Sequence, residues 1–199
     1  GNKPYLTYVH LIDLISVMKK NETFNFFDYG AGNLNLYYYL KKKIKDLNYF
    51  FLDQPETMAI LKDLNLTYQY NNFKISKSIG EEKIDLVYFG STLQYIKNYK
   101  KEIAKFKNNT KYLLISQTPF FNNNNQKNEH IVLKQVNMHP NINYLYSFNY
   151  DHFISFMEEN NFELIEKNLN RVTKFLNFKN FKNEYKDIDM YDLFFKKIK

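Results

Sequence analysis

Short apolar runs alternate with helix-period segments five times along this chain, and that alternation limits the fold more than any other feature. A strand that rejoins its sheet through a helix must run parallel to its predecessor. The pattern therefore predicts an α/β, Rossmann-like, doubly wound sheet with right-handed crossovers. The runs fall at 23–29, 49–52, 66–70, 84–89 and 111–116, with helices expected over 33–47, 55–64 and 91–106. A helix at 150–160 and strands at 162–168 and 191–198 follow. No long helix separates the last two strands, so the final one is expected to run antiparallel in a mostly parallel seven-stranded order.

The length of 199 residues suits one domain with a substantial core. We read 1–199 as that domain, with an amphipathic N-terminal helix within 1–22 and a loop or lid at 118–147. The lid assignment rests on Pro119, Pro140 and the run Asn122 to Asn125, which interrupt any period over about thirty residues. A net charge of +7 normally raises nucleic acid as a partner, but of 28 basic residues only Arg171 is arginine, the preferred bidentate reader of phosphate and guanine. The lysine surplus accompanies a surplus of Asn, Ile, Phe and Tyr, as an AT-rich coding sequence produces. It is read as drift, so no nucleic-acid partner is expected. The absence of cysteine excludes disulfides, thiolate metal sites and a cysteine nucleophile. No apolar run is long enough for a membrane span, no signal-peptide pattern opens the chain, and a cytoplasmic location is expected. Gly1 in place of Met suggests a processed or engineered start.

In an open α/β sheet, ligands bind at the carboxyl ends of the strands, where strand order reverses. The first strand ends there in Asp28-Tyr29-Gly30-Ala31-Gly32-Asn33, which holds two of the chain's five glycines in one turn. Glycines let the backbone turn sharply and approach a ligand, and the helix that follows offers free N–H groups. The next strand ends at Asp53, 21 residues after Gly32. A carboxylate at that spacing can accept both hydroxyls of a ribose, and it can equally cap the helix that begins at Pro55. A nicotinamide site usually shows a third glycine where this chain has Asn35.

Asp28 two residues ahead of Gly30 resembles the pattern of class I S-adenosylmethionine-dependent methyltransferases. The run Ile84-Asp85-Leu86-Val87-Tyr88-Phe89-Gly90-Ser91-Thr92-Leu93-Gln94-Tyr95-Ile96 resembles the fourth-strand signature of a methyltransferase family found in bacterial surface-polysaccharide (capsule) gene clusters. Ile115-Ser116-Gln117-Thr118-Pro119-Phe120 is similar to that family's fifth-strand segment, where an arginine commonly stands at the place of Gln117. The resemblance implies S-adenosylmethionine as cofactor and S-adenosylhomocysteine as product. It places Asp28, Gly30 and Gly32 along the methionine part, Asp53 on the ribose, and Gln54 beside the adenosine. Asn72 and Phe73 would lie near adenine, and Gly90, Ser91 and Gln94 beside the transferred methyl, with Gln94 positioning the acceptor.

Methyl transfer from a sulfonium needs positioning and exclusion of water, and a base only for some acceptors. The resemblance implies O-methylation of a small surface-glycan precursor, at a sugar hydroxyl or at a phosphate or phosphoramidate-type oxygen. For a hydroxyl, His130 is the first candidate base because Glu129 beside it could tune it, ahead of His139 and His152; His10 is read as packing. No metal is expected, because the histidines lack ligand spacing. The alternatives are a cofactor-binding regulatory module without turnover and an RNA methyltransferase. RNA binding is expected to be weak and nonspecific at physiological salt. A tight association that falls steeply with added salt would reverse that expectation, because phosphate neutralisation releases counterions.

Overall fold

The computed structural model describes residues 11, 13–16, 23–30, 32–68, 73–75, 82–122, 128–138, 140–171, 173, 181, 185 and 187–198. Strand β1 (Phe24–Tyr29) is followed by α1 (Asn35–Lys43), β2 (Leu47–Leu52), α2 (Pro55–Tyr68) and β3 (Phe73–Ile75). Then come β4 (Ile84–Gly90), a 3₁₀ turn over Leu93–Tyr95, the short helix α3 (Tyr99–Ala104) and β5 (Thr110–Phe121). The strands β6 (His130–Met138) and β7 (Asn141–Asn149), helix α4 (Tyr150–Glu159), and strands β8 (Phe162–Leu169) and β9 (Ile188–Lys197) complete the described elements.

β1 pairs in parallel with β2 on one edge and with β4 on the other. Its residues are buried on both faces, as a central parallel strand requires. Phe26 joins one aromatic core with Tyr37, Tyr49 and Phe51 under α1 and α2. Phe27 joins the other with Phe89, Phe106, Phe120 and Phe153 under α3 and α4. The sheet extends through β3, β2, β1, β4 and β5 to β9 and β8, with β9 antiparallel to both of its neighbours. This is the expected seven-stranded order with its reversed last strand.

The segment expected as a loop at 118–147 is built mainly of strands. β5 continues to Phe121 after a bulge between Ile115 and Thr118, and its last residues, Phe120 and Phe121, pair in parallel with Phe148 and Asn149 of β7. β6 and β7 form an antiparallel hairpin along nearly their whole length. Side chains on β6 alternate between exposed Val132, Lys134 and Val136 and partly buried Ile131, Leu133 and Gln135, the period of a half-covered strand. The prolines and asparagines around this pattern concealed it; residues 123–127 and 139 lie outside the described ones.

Residues 66–68 of the strand expected at 66–70 are instead the end of α2, and 69–70 lie outside the described residues. Met58, Leu61 and Leu64 keep a helical spacing that packs into the core, and this tertiary contact overrides the local alternation of Leu and Tyr. The helix expected at 91–106 is broken, because Ile96 takes an extended conformation after the 3₁₀ turn and helix resumes only at Tyr99. Of the N-terminal helix, residues 11 and 13–16 are described; they are helical, and Leu11 and Ile15 are buried in the same core cluster as Phe26, Tyr37 and Tyr49. Among the described residues no helix is long and apolar enough to cross a membrane.

Phe153 of α4 is enclosed by the rings of Tyr99, Phe120 and Phe148. Phe153→Ala is expected to lower stability by about 3–5 kcal/mol, read from denaturant unfolding monitored by circular dichroism.

Candidate functional site

The carboxyl ends of β1, β2 and β4 surround a cleft of about 650 Å³, lined by Gly30, Gly32, Asp53, Gln54 and Ser91 among others. The turn after β1 takes its shape from two left-handed glycines, Gly30 at φ +74° and Gly32 at φ +66°. At Gly30 a Cβ would also fall 2.3 Å from Thr92 Cγ2, because Thr92 Oγ1 donates to the Gly30 carbonyl at 3.0 Å and so binds the β1 turn to the end of β4. A Cβ at Gly32 would meet nothing within 4 Å, so that side of the turn stays open.

Asp53 closes the second edge. Its Oδ2 accepts the Gly32 N–H at 2.8 Å and its Oδ1 accepts the Gln54 N–H at 2.6 Å. The carboxylate is thus held by backbone at the lip of the cleft, and each oxygen keeps a second lone-pair site. Asp53 does not cap α2 in the way the sequence allowed, since the described bonds go to the glycine turn and to its own neighbour.

Asp28 lies under the turn, 1 % exposed, and accepts a hydrogen bond from the Tyr49 hydroxyl of β2. Burial pushes its carboxyl up to about 7; the Tyr49 bond opposes that shift, and the charge of Asp53 adds to it. Near neutral pH a positive charge arriving in the cleft would favour its ionised form.

Ser91, at φ +56°, stands where β4 ends and donates its N–H to Ser116 of β5 at 2.9 Å. A non-glycine residue in that region stores strain, which concentrates at functional sites. Beneath it Gln94 is buried; its amide nitrogen donates to Ser91 Oγ at 3.1 Å, and its Oε1 accepts from Thr118 Oγ1 at 3.4 Å. Gln94 therefore supports Ser91 from below and is not among the residues lining the cleft. Gly90 does not line it either; a Cβ there would strike the Tyr88 ring at 2.5 Å.

Three expectations move. Phe73 belongs to the core, stacked on Tyr49 and edge-on to Tyr37, and does not line the cleft. His130 sits exposed at the start of β6 with its ring edge-on to Tyr146, away from the cleft lining. The Glu129 expected to tune it is taken by Lys100 at 2.6 Å, which holds that carboxyl below its usual range. His152 is exposed in the first turn of α4, where Asn149 accepts its N–H at 3.2 Å. Asn72, His139 and His10 lie outside the described residues.

Sequence reasoning missed Tyr29, Tyr95, Ile96, Glu102 and Lys105, which also line the cleft. Tyr29 had a signal in its place between Asp28 and Gly30. Its hydroxyl donates to Glu102 Oε2 at 2.9 Å across 73 residues, a convergence that no local pattern announces. Burial first, and then Glu102, raise the Tyr29 pKa, so its hydroxyl stays protonated as a donor. Tyr95 donates to Gln135 Oε1 at 3.0 Å and ties the cleft to the β6–β7 hairpin.

No protein-family model matches the sequence, and no curated protein matches it at a significant level. Solved structures do match. The N-terminal domain of EvdMO1, solved with S-adenosylhomocysteine (SAH) and D-fucose, aligns at a TM-score of 0.64 and 7 % identity, covering 100 % of this chain and 86 % of that one. Magnesium protoporphyrin IX methyltransferase from Synechocystis PCC 6803 with bound SAH gives 0.62 at 12 % identity, over 96 % and 82 % of the two chains. An S-adenosylmethionine-dependent methyltransferase from Clostridium acetobutylicum ATCC 824 gives 0.55 at 12 % identity, over 98 % and 99 %. At such identities the likeness is one of architecture. The chain has the class I methyltransferase fold.

Because the folded pKa of Asp28 lies above the unfolded one, the folded chain holds the extra proton between about pH 4 and 7 and loses stability as pH rises through that window. Asp28→Asn is expected to remove this slope and to raise stability above pH 7 by a few kcal/mol, on the order of the shift itself. Denaturant unfolding of both forms at pH 5, 6, 7 and 8 measures it.

Proposed function

We propose that this chain is an S-adenosylmethionine-dependent methyltransferase that O-methylates a small surface-glycan precursor, at a sugar hydroxyl or at a phosphate or phosphoramidate-type oxygen. The observation that carries the reading is the Asp53 carboxylate fastened to the Gly32 N–H at the mouth of a class I sheet. One bond joins the acid suited to ribose hydroxyls with the turn suited to the methionine end.

The donor set fits that cofactor. Asp53 and Glu102 line the cleft against the single Lys105, and Asp28, buried beneath the turn and outside the lining, would ionise as a cation arrives, a balance that welcomes an ammonium and a sulfonium and would repel a pyrophosphate. The open space beside Gly32 leaves room for a ligand against the backbone. Gly30, Gly32 and Asp28 would hold the methionine part, Asp53 the ribose and Gln54 the adenosine. Ser91, supported by Gln94, would face the transferred group. The cofactor supplies a methyl already activated for in-line displacement. The chain's own residues bind, orient and exclude water: Thr92 fixes the glycine turn to β4, and the Tyr95–Gln135 bond holds the hairpin against the cleft.

The glycan acceptor is supported by the resemblance of the β4 and β5 segments to the surface-polysaccharide family, and by a neighbour of the same fold solved with D-fucose. The nine described strands share one sheet, which supports reading residues 1–199 as one methyltransferase domain, and the cysteine-free composition suits the cytoplasm. The position of His130 outside the cleft favours one second reading, a cofactor-binding module without turnover.

Calorimetry with S-adenosylmethionine and SAH tests the cofactor. Asp53→Ala is expected to weaken both by about 1–3 kcal/mol, roughly 5- to 150-fold in Kd. Unchanged affinity would remove Asp53 from the site, and no binding of either ligand to the unaltered chain would end the reading. Binding without methyl transfer to a panel of neutral and phosphorylated sugars would favour the module.

A further inference from the structure

Arg171 is the chain's one arginine, every other of the 28 basic residues being lysine, and the reading above gives it no task. It follows β8. Because β8 runs antiparallel to β9, and β9 antiparallel to β5, the end of β8 comes up at the same end of the sheet as Ser91 and Gln117. The turn that carries it is fixed on both sides: the Asn170 N–H donates to the Met190 carbonyl at 2.7 Å, the Thr173 N–H to the Asn170 carbonyl at 3.0 Å, and the Met190 N–H to Thr173 Oγ1 at 2.8 Å. Asp192, the acid that Asn170 holds, takes its described bonds from Ser116, Gln117 and Asn170 and none from Arg171. Among the described residues the exposed Arg171 has no ion-pair partner, whereas Lys167 of β8 is held over the rings of Tyr150 and Tyr191 at 3.7 and 4.2 Å.

We infer that Arg171 binds a phosphate group of the acceptor, so that the acceptor is a phosphorylated sugar. This rests on the methyl-transfer reading of the cleft. With the ribose at Asp53 and the methyl toward Ser91, the acceptor must arrive from the side of β5, the next strand in the sheet. Past β5 come β9 and β8, which puts Arg171 three strand spacings, about 14 Å, beyond Ser91. The four strands are joined there by the bonds from the Ser91 N–H to Ser116, from Ser116 Oγ to Asp192 and from Asn170 to Asp192. That span leaves a phosphate on the guanidinium a sugar ring's width from the methyl, so the atom in line for transfer is a hydroxyl across the ring. Its oxygen takes the methyl carbon as the carbon–sulfur bond breaks, the bonding pair stays on sulfur, and the hydroxyl proton leaves to water. A planar guanidinium grips two phosphate oxygens at once, as an ammonium does not, and this gives a physical reason for an arginine in a chain that otherwise uses lysine.

The full chain saturated with SAH and labelled with nitrogen-15 arginine tests the inference, because its one arginine gives one side-chain Nε–H signal. Glucose 1-phosphate is expected to shift that signal saturably at about 150 mM salt, while glucose at the same concentrations leaves it in place. Arg171→Lys keeps the net charge and loses the two-pronged grip; calorimetry should show it weakening the ester by about fivefold or more, with SAH affinity unchanged. Lys42→Ala, on the exposed side of α1, should leave the ester's affinity as it is. A signal that the ester does not move, one that glucose moves equally, an Arg171→Lys chain that binds the ester as the unaltered one does, or a loss in Lys42→Ala as large as in Arg171→Lys would overturn the role of Arg171 and leave the cofactor reading standing. Failure of the unaltered chain to bind SAH would overturn both.

Discussion

The cleft depends on β1 being paired in parallel along both edges. β2 aligns with it from Phe24↔Leu47 to Tyr29↔Leu52, and β4 from Phe26↔Leu86 to Asp28↔Tyr88. Those registers bring the glycine turn, Asp53 and Ser91 to one end of the sheet, although they lie about twenty to sixty residues apart in the chain. Two bonds then lock the three strand exits together, Gly32 N–H to Asp53 and Thr92 Oγ1 to the Gly30 carbonyl. Slipping β2 by one residue would turn Tyr49 away from Asp28 and break the contact with Gly32 together.

Beneath that end the protein accepts a cost. Asp28 is buried with a raised pKa, Ser91 and Gln117 sit at positive φ, and Gln94, Ser116 and Thr118 are polar groups inside a core of phenylalanine and tyrosine. Ser116 Oγ and the Gln117 N–H both donate to Asp192 of β9, which the Asn170 side chain holds through both oxygens. Hydrophobic replacements would satisfy packing alone. A polar, strained patch at the strand exits is what a binding surface requires and a core does not.

Much of this was legible in the sequence because the sheet's centre is written in local terms. Continuous apolar runs marked β1, β2, β4 and β5, and the glycine turn and Asp53 followed from spacing. Where the reading failed, tertiary context had decided. The strand-like alternation after Leu64 was absorbed into a helix by core packing, and the hairpin's period was hidden among asparagines and prolines. His130 drew attention for its chemistry but lies on the hairpin's rim. Tyr29 and Glu102 met only through folding, since the carboxylate of one element is held by the hydroxyl of another and neither has a motif, whereas Lys105 pairs with Glu102 locally, three residues on.

The central claim is that one crevice at the ends of β1, β2 and β4 holds S-adenosylmethionine in a fixed direction. A crystal structure of the chain with SAH measures that direction. The account predicts ribose hydroxyls on the Asp53 carboxylate and the methionine end over Gly30 and Gly32, with the sulfur toward Ser91. SAH bound with its ribose away from Asp53, or outside this crevice, would contradict it.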